Sequence, residues 1–222
     1  MILGRLLAVL LILTTSVAHA AQMANVDGLK QRAAAGDRSA ARTLAEGYYA
    51  GSDGLPQDFT QAAHYFQVLS NLGDVRAMTT LGLMYARGIG VSKNMAEAVR
   101  KWQFAAANEK IADAGAEYNL GLAYRNGDGI DGDPSKSHYW MRRAARRGHV
   151  LAQTNLGLMY LEGFGTPRDP AEGAAWLIVS ARRGDAGAQD NLKRFSASLA
   201  PEVIDEAHKR AAGYLKAPTV AR

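Results

Sequence analysis

Three aspartates in the segment GDGIDGD, residues 127–133, are close enough in sequence to bind a cation: Asp128, Asp131 and Asp133. Clustered carboxylate oxygens are the ligands that calcium prefers. Their spacing differs from the D-x-D-x-D-G order of an EF-hand loop, and Asp133 stands where a helix is predicted to begin. We therefore interpret the segment as a turn followed by a helix cap, and we predict no metal site.

Six arginines form a second group that could bind a charged partner. Guanidinium groups attract anions such as acidic polysaccharides, phospholipids or acidic protein surfaces. The same side chains would also interact favourably with the negative ends of two predicted helices and keep the chain soluble, which is the commoner role of such charges. Both interpretations apply to the same residues: Arg142, Arg143, Arg146, Arg147, Arg182 and Arg183.

Four histidines lie in separate segments, without the i, i+4 spacing that a metal site or a catalytic base on one helix would use: His64, His138, His149 and His208. No Ser-His-Asp order, phosphate-binding loop or pair of catalytic carboxylates stands out. We therefore predict no catalytic residues and no cofactor. The net charge of +5 over 222 residues is too small to indicate a nucleic-acid partner.

Residues 1–20 have the pattern of a secretory signal peptide. Arg5 is the only charge, residues 6–17 are apolar or carry a hydroxyl, and Ala18-His19-Ala20 is a small-x-small cleavage site. An uncleaved anchor is the alternative, but a bilayer span needs roughly 20 apolar residues. The chain has no cysteine and so cannot be a lipoprotein. We expect a soluble periplasmic or secreted protein that starts near Ala21 and is not inserted in the membrane after cleavage.

One helical pattern recurs along the chain. Residues 81–90 (LGLMYARGIG) and 156–165 (LGLMYLEGFG) are nearly identical, and an Ala precedes each such Leu by four residues. Ala, Leu and Tyr then follow at i, i+4 and i+8 on one face of a helix, called helix A. The Leu/Tyr pairs recur at steps of 37, 39 and 36 residues: Leu44/Tyr48, Leu81/Tyr85, Leu120/Tyr124 and Leu156/Tyr160, with Leu192 a further 36 residues on.

A second helix, helix B, is predicted in each unit, starting on a capping residue: Asp58, Asn94, Asp133 and Asp169. Glycines after each helix A supply the turn. Gly82, Gly121 and Gly157 lie inside helix A and predict close approach of a neighbouring backbone. The second unit carries a three-residue insertion in its linker, residues 108–114.

The combined pattern resembles the Sel-1-like repeat, a relative of the tetratricopeptide repeat; residues 152–184 match it almost throughout. The resemblance implies an all-α fold, a right-handed α/α superhelical solenoid of helix pairs with a concave surface lined mainly by A helices. It also implies an adaptor role in protein complexes. We predict a signal peptide at 1–20, a capping helix at 21–35, units at 36–72, 73–111, 112–147 and 148–183, a fifth helix A at 184–199, a capping helix at 200–216 and a flexible tail at 217–222.

These observations predict an exported, non-enzymatic protein-interaction scaffold or adaptor in the cell envelope, which could regulate an envelope or signalling complex. Its partner would be another protein. The contact positions are those on helix A that the repeat leaves free and that vary between units: Arg42, Glu46, Thr79, Leu83, Tyr118, Leu122, Thr154 and Leu158. The alternative is binding of anionic envelope polymers, polysaccharide or cell wall, through the six arginines. A cell-wall hydrolase is disfavoured by the lack of a catalytic motif.

Overall fold

The computed structural model describes residues 25–107 and 111–216, and all regular secondary structure in these ranges is helical. The predicted all-α fold class is confirmed. The predicted signal peptide and the predicted tail at 217–222 lie outside the described residues, and so do residues 108–110 of the predicted insertion. The helices are α1 over 25–34, α2 Arg38–Ala50, α3 Phe59–Asn71, α4 Val75–Arg87, α5 Met95–Ala106, α6 Ala114–Asn126, α7 Pro134–Arg146, α8 Val150–Glu162, α9 Pro170–Arg182, α10 Ala186–Ser196 and α11 Pro201–Lys216.

The chain divides into two compact units between Lys93 and Asn94. In the first, α3 packs against both α2 and α4 around a core that includes Leu44, Leu69 and Leu81. In the second, α7 packs against α6 and α8, while α9 packs against α8, α10 and α11. Burial of apolar side chains along these faces is the main driving force for the fold.

The predicted starts of the B helices are confirmed. Asp58, Asn94, Asp133 and Asp169 cap α3, α5, α7 and α9. In α9, for example, Asp169 Oδ1 accepts the backbone hydrogen of Glu172 over 3.0 Å. The cap satisfies a backbone donor that has no partner within the helix.

The glycines act as the repeat pattern predicted. Gly88, Gly127 and Gly163 end α4, α6 and α8 with φ values of 72°, 74° and 74°, a conformation that other residues rarely adopt. A Cβ on Gly157 would lie 2.8 Å from the carbonyl oxygen of Gly173, so the predicted close approach of a backbone is confirmed there. At Gly121 the neighbour is instead a side chain, that of Met141.

The last helix, α11, packs on α9 through an aromatic and ionic contact. The rings of Trp176 and Tyr214 stack with centroids 4.5 Å apart. The Tyr214 hydroxyl donates to Glu172 Oε1 over 2.7 Å, and Trp176 Nε1 donates to the same oxygen over 2.9 Å. Arg210 adds a bond to Asp169 at 2.8 Å. These contacts fix α11 over the indole and both acidic groups of α9.

Candidate protein-binding surface

The predicted contact positions of the first unit differ in exposure. Arg42 and Glu46 on α2 are exposed, and Leu83 on α4 is half-buried. Thr79 is buried and donates its hydroxyl to the carbonyl of Val75 over 3.0 Å. Its hydroxyl is therefore bonded within α4.

The predicted positions of the second unit lie on α6 and α8. Tyr118, Leu122 and Leu158 are half-buried. Thr154 is buried, and its hydroxyl is hydrogen-bonded to Ser180 over 2.7 Å and to Asp185. Thr79 and Thr154 are thus the two buried members of the eight predicted contact positions, and their hydroxyls have partners within the fold.

Three of these positions join one helix A to the start of the next. Each stands two residues after the repeated Ala, and each contacts the N-cap residue of the following helix A. Arg42 is bonded to Asp74, which caps α4. Thr154 donates to Asp185, which caps α10. Tyr118 stacks on His149, which caps α8, with ring centroids 4.4 Å apart. In these three pairs the side chain on helix A matches the chemistry of the capping residue: arginine and threonine contact an aspartate, and tyrosine contacts a histidine.

One continuous surface runs across α6 and α8. Tyr118, Leu122 and Arg125 follow one another at i, i+4 and i+7 on α6, and Leu151, Asn155 and Leu158 do so on α8. Arg125 Nη1 donates to Asn155 Oδ1 over 3.1 Å, which connects the two helices, and Leu151 is 52% exposed. We call these six residues the A-helix surface.

The electrostatics of this surface come from Arg125. Its guanidinium lies 5.6 Å from the centroid of the Phe164 ring, in the turn that follows α8. Burial raises the pKa of Tyr118, while hydrogen bonding with Asn155 lowers it. The surface thus offers a guanidinium, an amide and accessible leucine side chains, a combination typical of protein contacts.

A buried carboxylate binds two of the six arginines that the sequence analysis singled out. Glu117 on α6 is completely buried, and its Oε1 accepts from Arg143 Nε at 2.9 Å and from Arg147 Nε at 3.1 Å. Burial raises the pKa of the Glu117 carboxyl, and the two guanidinium groups oppose this shift. Arg143 also donates to the carbonyl of Ala106 over 3.3 Å. These two arginines therefore stabilise the fold.

Among the other four arginines, Arg183 also bonds within the fold. Arg183 donates to the carbonyl of Gly148 over 3.3 Å, linking the end of α9 to the start of α8. Arg142 is half-buried, whereas Arg146 and Arg182 are exposed. With the residues that the structure describes, none of these last three forms an ion pair. Arg142, Arg146 and Arg182 are thus the three of the six predicted arginines that have neither an ion pair nor a hydrogen bond among the described residues.

A model of the Sel1 repeat matches the chain at residues 39–74, 75–109, 114–149 and 150–185. The chain belongs to the Sel1 repeat family. The A-helix surface lies in the third and fourth Sel1 repeats, and the boundary between the two compact units falls inside the second.

Two curated proteins with Sel1-like similarity are much longer than this chain. The chitin synthase regulator SKT5 of Saccharomyces cerevisiae is 32% identical over 117 residues, which cover 52% of this chain and 16% of that protein. The ERAD-associated E3 ubiquitin-protein ligase component HRD3B of Arabidopsis thaliana is 33% identical over 106 residues, covering 47% and 16%. The chain thus spans about a sixth of the length of either relative.

Two crystal structures share the fold of this Sel1 repeat protein. One is a protective antigen of uropathogenic Escherichia coli with an SLR fold, 26% identical, with a TM-score of 0.78 over 86% of this chain and 40% of that one. The other is a Sel1 repeat protein from Oxalobacter formigenes, 29% identical, with a TM-score of 0.67 over 79% and 70%. They confirm the family on the level of structure.

Several features of the site were missed by the sequence reasoning. Leu151 stands one residue before the repeated Ala, where the other units have small or charged residues: Ser39, Arg76, Gly115 and Gly187. This departure from the repeat is the signal that could have found it. Asn155 and Arg125 carry no such signal, since their role depends on the contact between α6 and α8.

Among the described residues, including the aspartate cluster, no three His, Cys, Asp or Glu side chains are arranged so that they could hold a metal ion. Asp133 accepts from the backbone of Lys136 over 3.0 Å, as its predicted role as a cap requires. Among the helices described, none combines the length and the apolar character that a membrane span needs.

Proposed function

We propose that this Sel1 repeat protein is an exported, non-enzymatic adaptor that binds another protein in the cell envelope through the A-helix surface. Sel1 repeat proteins generally mediate protein–protein interactions. The observation that carries the proposal is the contact between Arg125 and Asn155. It joins two rows of half-buried and exposed leucine, tyrosine and polar side chains into one surface on two helices.

The physical advantage of such a surface is that it is ordered before binding. The Arg125–Asn155 bond and the Tyr118–His149 stack hold side chains that would otherwise lose rotamer freedom in a complex. Ordering a long side chain at an interface costs about 0.5–1.5 kcal/mol. Leu151 and Leu158 supply apolar area whose burial favours association.

The relatives support an adaptor role. One is named as a regulator of chitin synthase and the other as a component of a ubiquitin-protein ligase. By analogy, the present chain would act on an enzyme or a larger assembly without carrying chemistry itself. The envelope location is supported by the signal-peptide pattern of residues 1–20.

The direct experiment is capture by the full chain carrying a C-terminal tag, from an envelope extract of the cells that produce it. Bound material is washed at low and then high salt and identified by mass spectrometry. The proposal predicts one protein near equal stoichiometry that survives high salt and binds again when both are purified. If only acidic polymer is retained and leaves with salt, the adaptor function is wrong.

A second candidate function is binding of anionic envelope polymers. It is supported by Arg142, Arg146 and Arg182, which lack an ion-pair partner among the described residues. Its test is salt-dependent retention on a dextran sulfate column. A polymer binder should lose that retention when the three arginines are changed to serine, whereas an adaptor should keep its protein partner.

A further inference from the structure

The N-cap of α8 differs chemically from the caps of the other A helices. Four of these helices begin on an aspartate: Asp37, Asp74, Asp113 and Asp185. In α8 the cap is His149, whose Nδ1 accepts the backbone hydrogen of Ala152 over 3.2 Å. Only the neutral imidazole has a free lone pair at Nδ1, so this cap exists only while His149 is uncharged.

Protonation of His149 would act against α8 in two ways. It would turn Nδ1 from an acceptor into a donor that faces the backbone hydrogen of Ala152. It would also place a positive charge at the positive end of the helix dipole. An aspartate cap has neither problem at mildly acidic pH, since its carboxylate remains charged.

The same imidazole supports the A-helix surface. The ring of His149 stacks on Tyr118, with centroids 4.4 Å apart and planes inclined by 21°. Asn155, which accepts from Arg125, lies in the second turn of the helix that His149 caps. A change at this cap therefore reaches Tyr118 directly and Leu151 and Asn155 through the first turns of α8.

Charged and titratable groups face His149 from several elements. Burial lowers the pKa of the imidazole, and the Asp113 carboxylate at the start of α6 opposes this. Arg183, the residue after α9, donates to the carbonyl of Gly148, which precedes His149. Tyr118 of α6 stacks on the imidazole, and Arg125 and Asp185 act in turn on Tyr118.

We infer that His149 makes the A-helix surface sensitive to pH: it is complete at neutral pH and is released when mild acid protonates the imidazole. The inference rests on the proposed function for its effect on a partner. The sign follows from linkage. A histidine whose pKa is lowered by folding stabilises the chain fully above its ordinary pKa of about 6.5, and this contribution is lost as the pH falls below that value.

The first test needs no partner. The ring signals of His149 and Tyr118 are followed by NMR in the full chain from about pH 7 to about pH 5, together with unfolding by denaturant. We expect both rings to shift with one midpoint. We also expect the folding equilibrium constant of the wild type to fall about tenfold relative to His149→Asp, in which the cap is a carboxylate as in the other A helices.

A control is needed for His138, the other half-buried histidine among the described residues. Its pKa is also lowered, mainly by burial, so it could titrate in the same range. The variant His138→Asn should keep the coupled shift of His149 and Tyr118. The inference is overturned if the Tyr118 signal does not follow the His149 midpoint, or if His149→Asp loses stability in acid as strongly as the wild type.

The pH dependence of partner binding is a second, independent test. For a purified protein partner, affinity should fall about tenfold between about pH 7 and about pH 5 for the wild type and stay constant for His149→Asp. Equal pH dependence in both chains contradicts the inference but leaves the adaptor function intact. If capture finds no protein partner, the proposed function fails, whereas the NMR titration still decides whether His149 controls Tyr118.

Discussion

Arg143 Nε on α7 donates to Glu117 Oε1 on α6 over 2.9 Å, and the carboxylate that it meets is completely buried. Arg147 donates to the same oxygen over 3.1 Å. The corresponding residue of the fourth repeat is Gln153, whose Nε2 donates to the carbonyl of Ala145 over 3.0 Å. Glu117 thus forms an ionic link between the two helices of the third repeat, whereas Gln153 forms a neutral link from α8 back to α7 of the preceding repeat.

We predict that Glu117→Gln destabilises the third repeat. A glutamine keeps the shape but removes the negative charge, which leaves two largely buried guanidinium groups uncompensated. Breaking a buried ion pair in this way costs about 3 kcal/mol. Chemical denaturation measures the loss, and Arg146→Gln on the exposed side of α7 is the control, with a change within about 0.5 kcal/mol. Equal effects of the two substitutions would show that the ion pair contributes little.

Gly157 and Gly173 give a second prediction. A Cβ on Gly157 would lie 2.8 Å from the Gly173 carbonyl oxygen, so Gly157→Ala must separate α8 from α9. We expect a loss of about 1–3 kcal/mol in the free energy of unfolding. The control is Gly213→Ala on α11, where a Cβ meets nothing within 4 Å, and alanine should stabilise that helix by about 0.5–1 kcal/mol. A neutral Gly157→Ala would mean that the two helices can move apart without cost.

Thr154→Val tests whether this position belongs to the fold. Valine keeps the shape but removes the hydroxyl that bonds to Ser180 and Asp185. The hydrogen bond from Thr154 is the main cause that lowers the pKa of Asp185, so its contribution is present above pH of about 4 and lost in stronger acid. Thermal unfolding at neutral pH should show a loss of about 1–2 kcal/mol, with partner binding unchanged. If Thr154→Val loses binding but keeps its stability, Thr154 contacts the partner and the assignment of its hydroxyl to the fold is wrong.

Tyr214→Ala tests the attachment of α11. It removes the ring that covers Trp176 and the hydroxyl that donates to Glu172, and we expect a loss of about 3 kcal/mol in stability. Trp176 should then become accessible to acrylamide, measured by fluorescence quenching in a chain whose other two tryptophans, Trp102 and Trp140, are changed to phenylalanine. Tyr139→Ala, at an exposed residue of α7, is the comparison and should leave Trp176 protected. Unchanged quenching in Tyr214→Ala would mean that other contacts hold α11 in place.

The fold could be predicted from the sequence because its signals repeat. Apolar spacing fixed the faces of the A helices, and Asp58, Asn94, Asp133 and Asp169 marked the starts of the B helices correctly. A single aspartate or asparagine is weak evidence for the start of a helix. The same residue types recurring once in each repeat are strong evidence. Close approach at Gly157 was predictable for the same reason.

The candidate site could be predicted only in part, because it depends on contacts between repeats. Tyr118 was correctly placed on helix A, but nothing in its own helix indicates that it stacks on His149, 31 positions later. Likewise, Arg143 looked like a surface charge until its partner Glu117 was located on the neighbouring helix. Variation between units was read as freedom to bind a partner, whereas at Thr154 it reflects the residue that the side chain meets inside the fold.

The most direct measurement compares capture by three tagged full-length chains with identical circular dichroism: the wild type, Leu151→Glu with Arg125→Ser, and Phe104→Glu with Arg100→Ser. Phe104 is 69% exposed on α5, so the third chain carries the same kinds of change outside the A-helix surface. We predict that the wild type and the third chain retain one protein near equal stoichiometry and that the second retains at least about tenfold less, the effect of losing about 1.4 kcal/mol. Equal retention by all three chains would contradict the account.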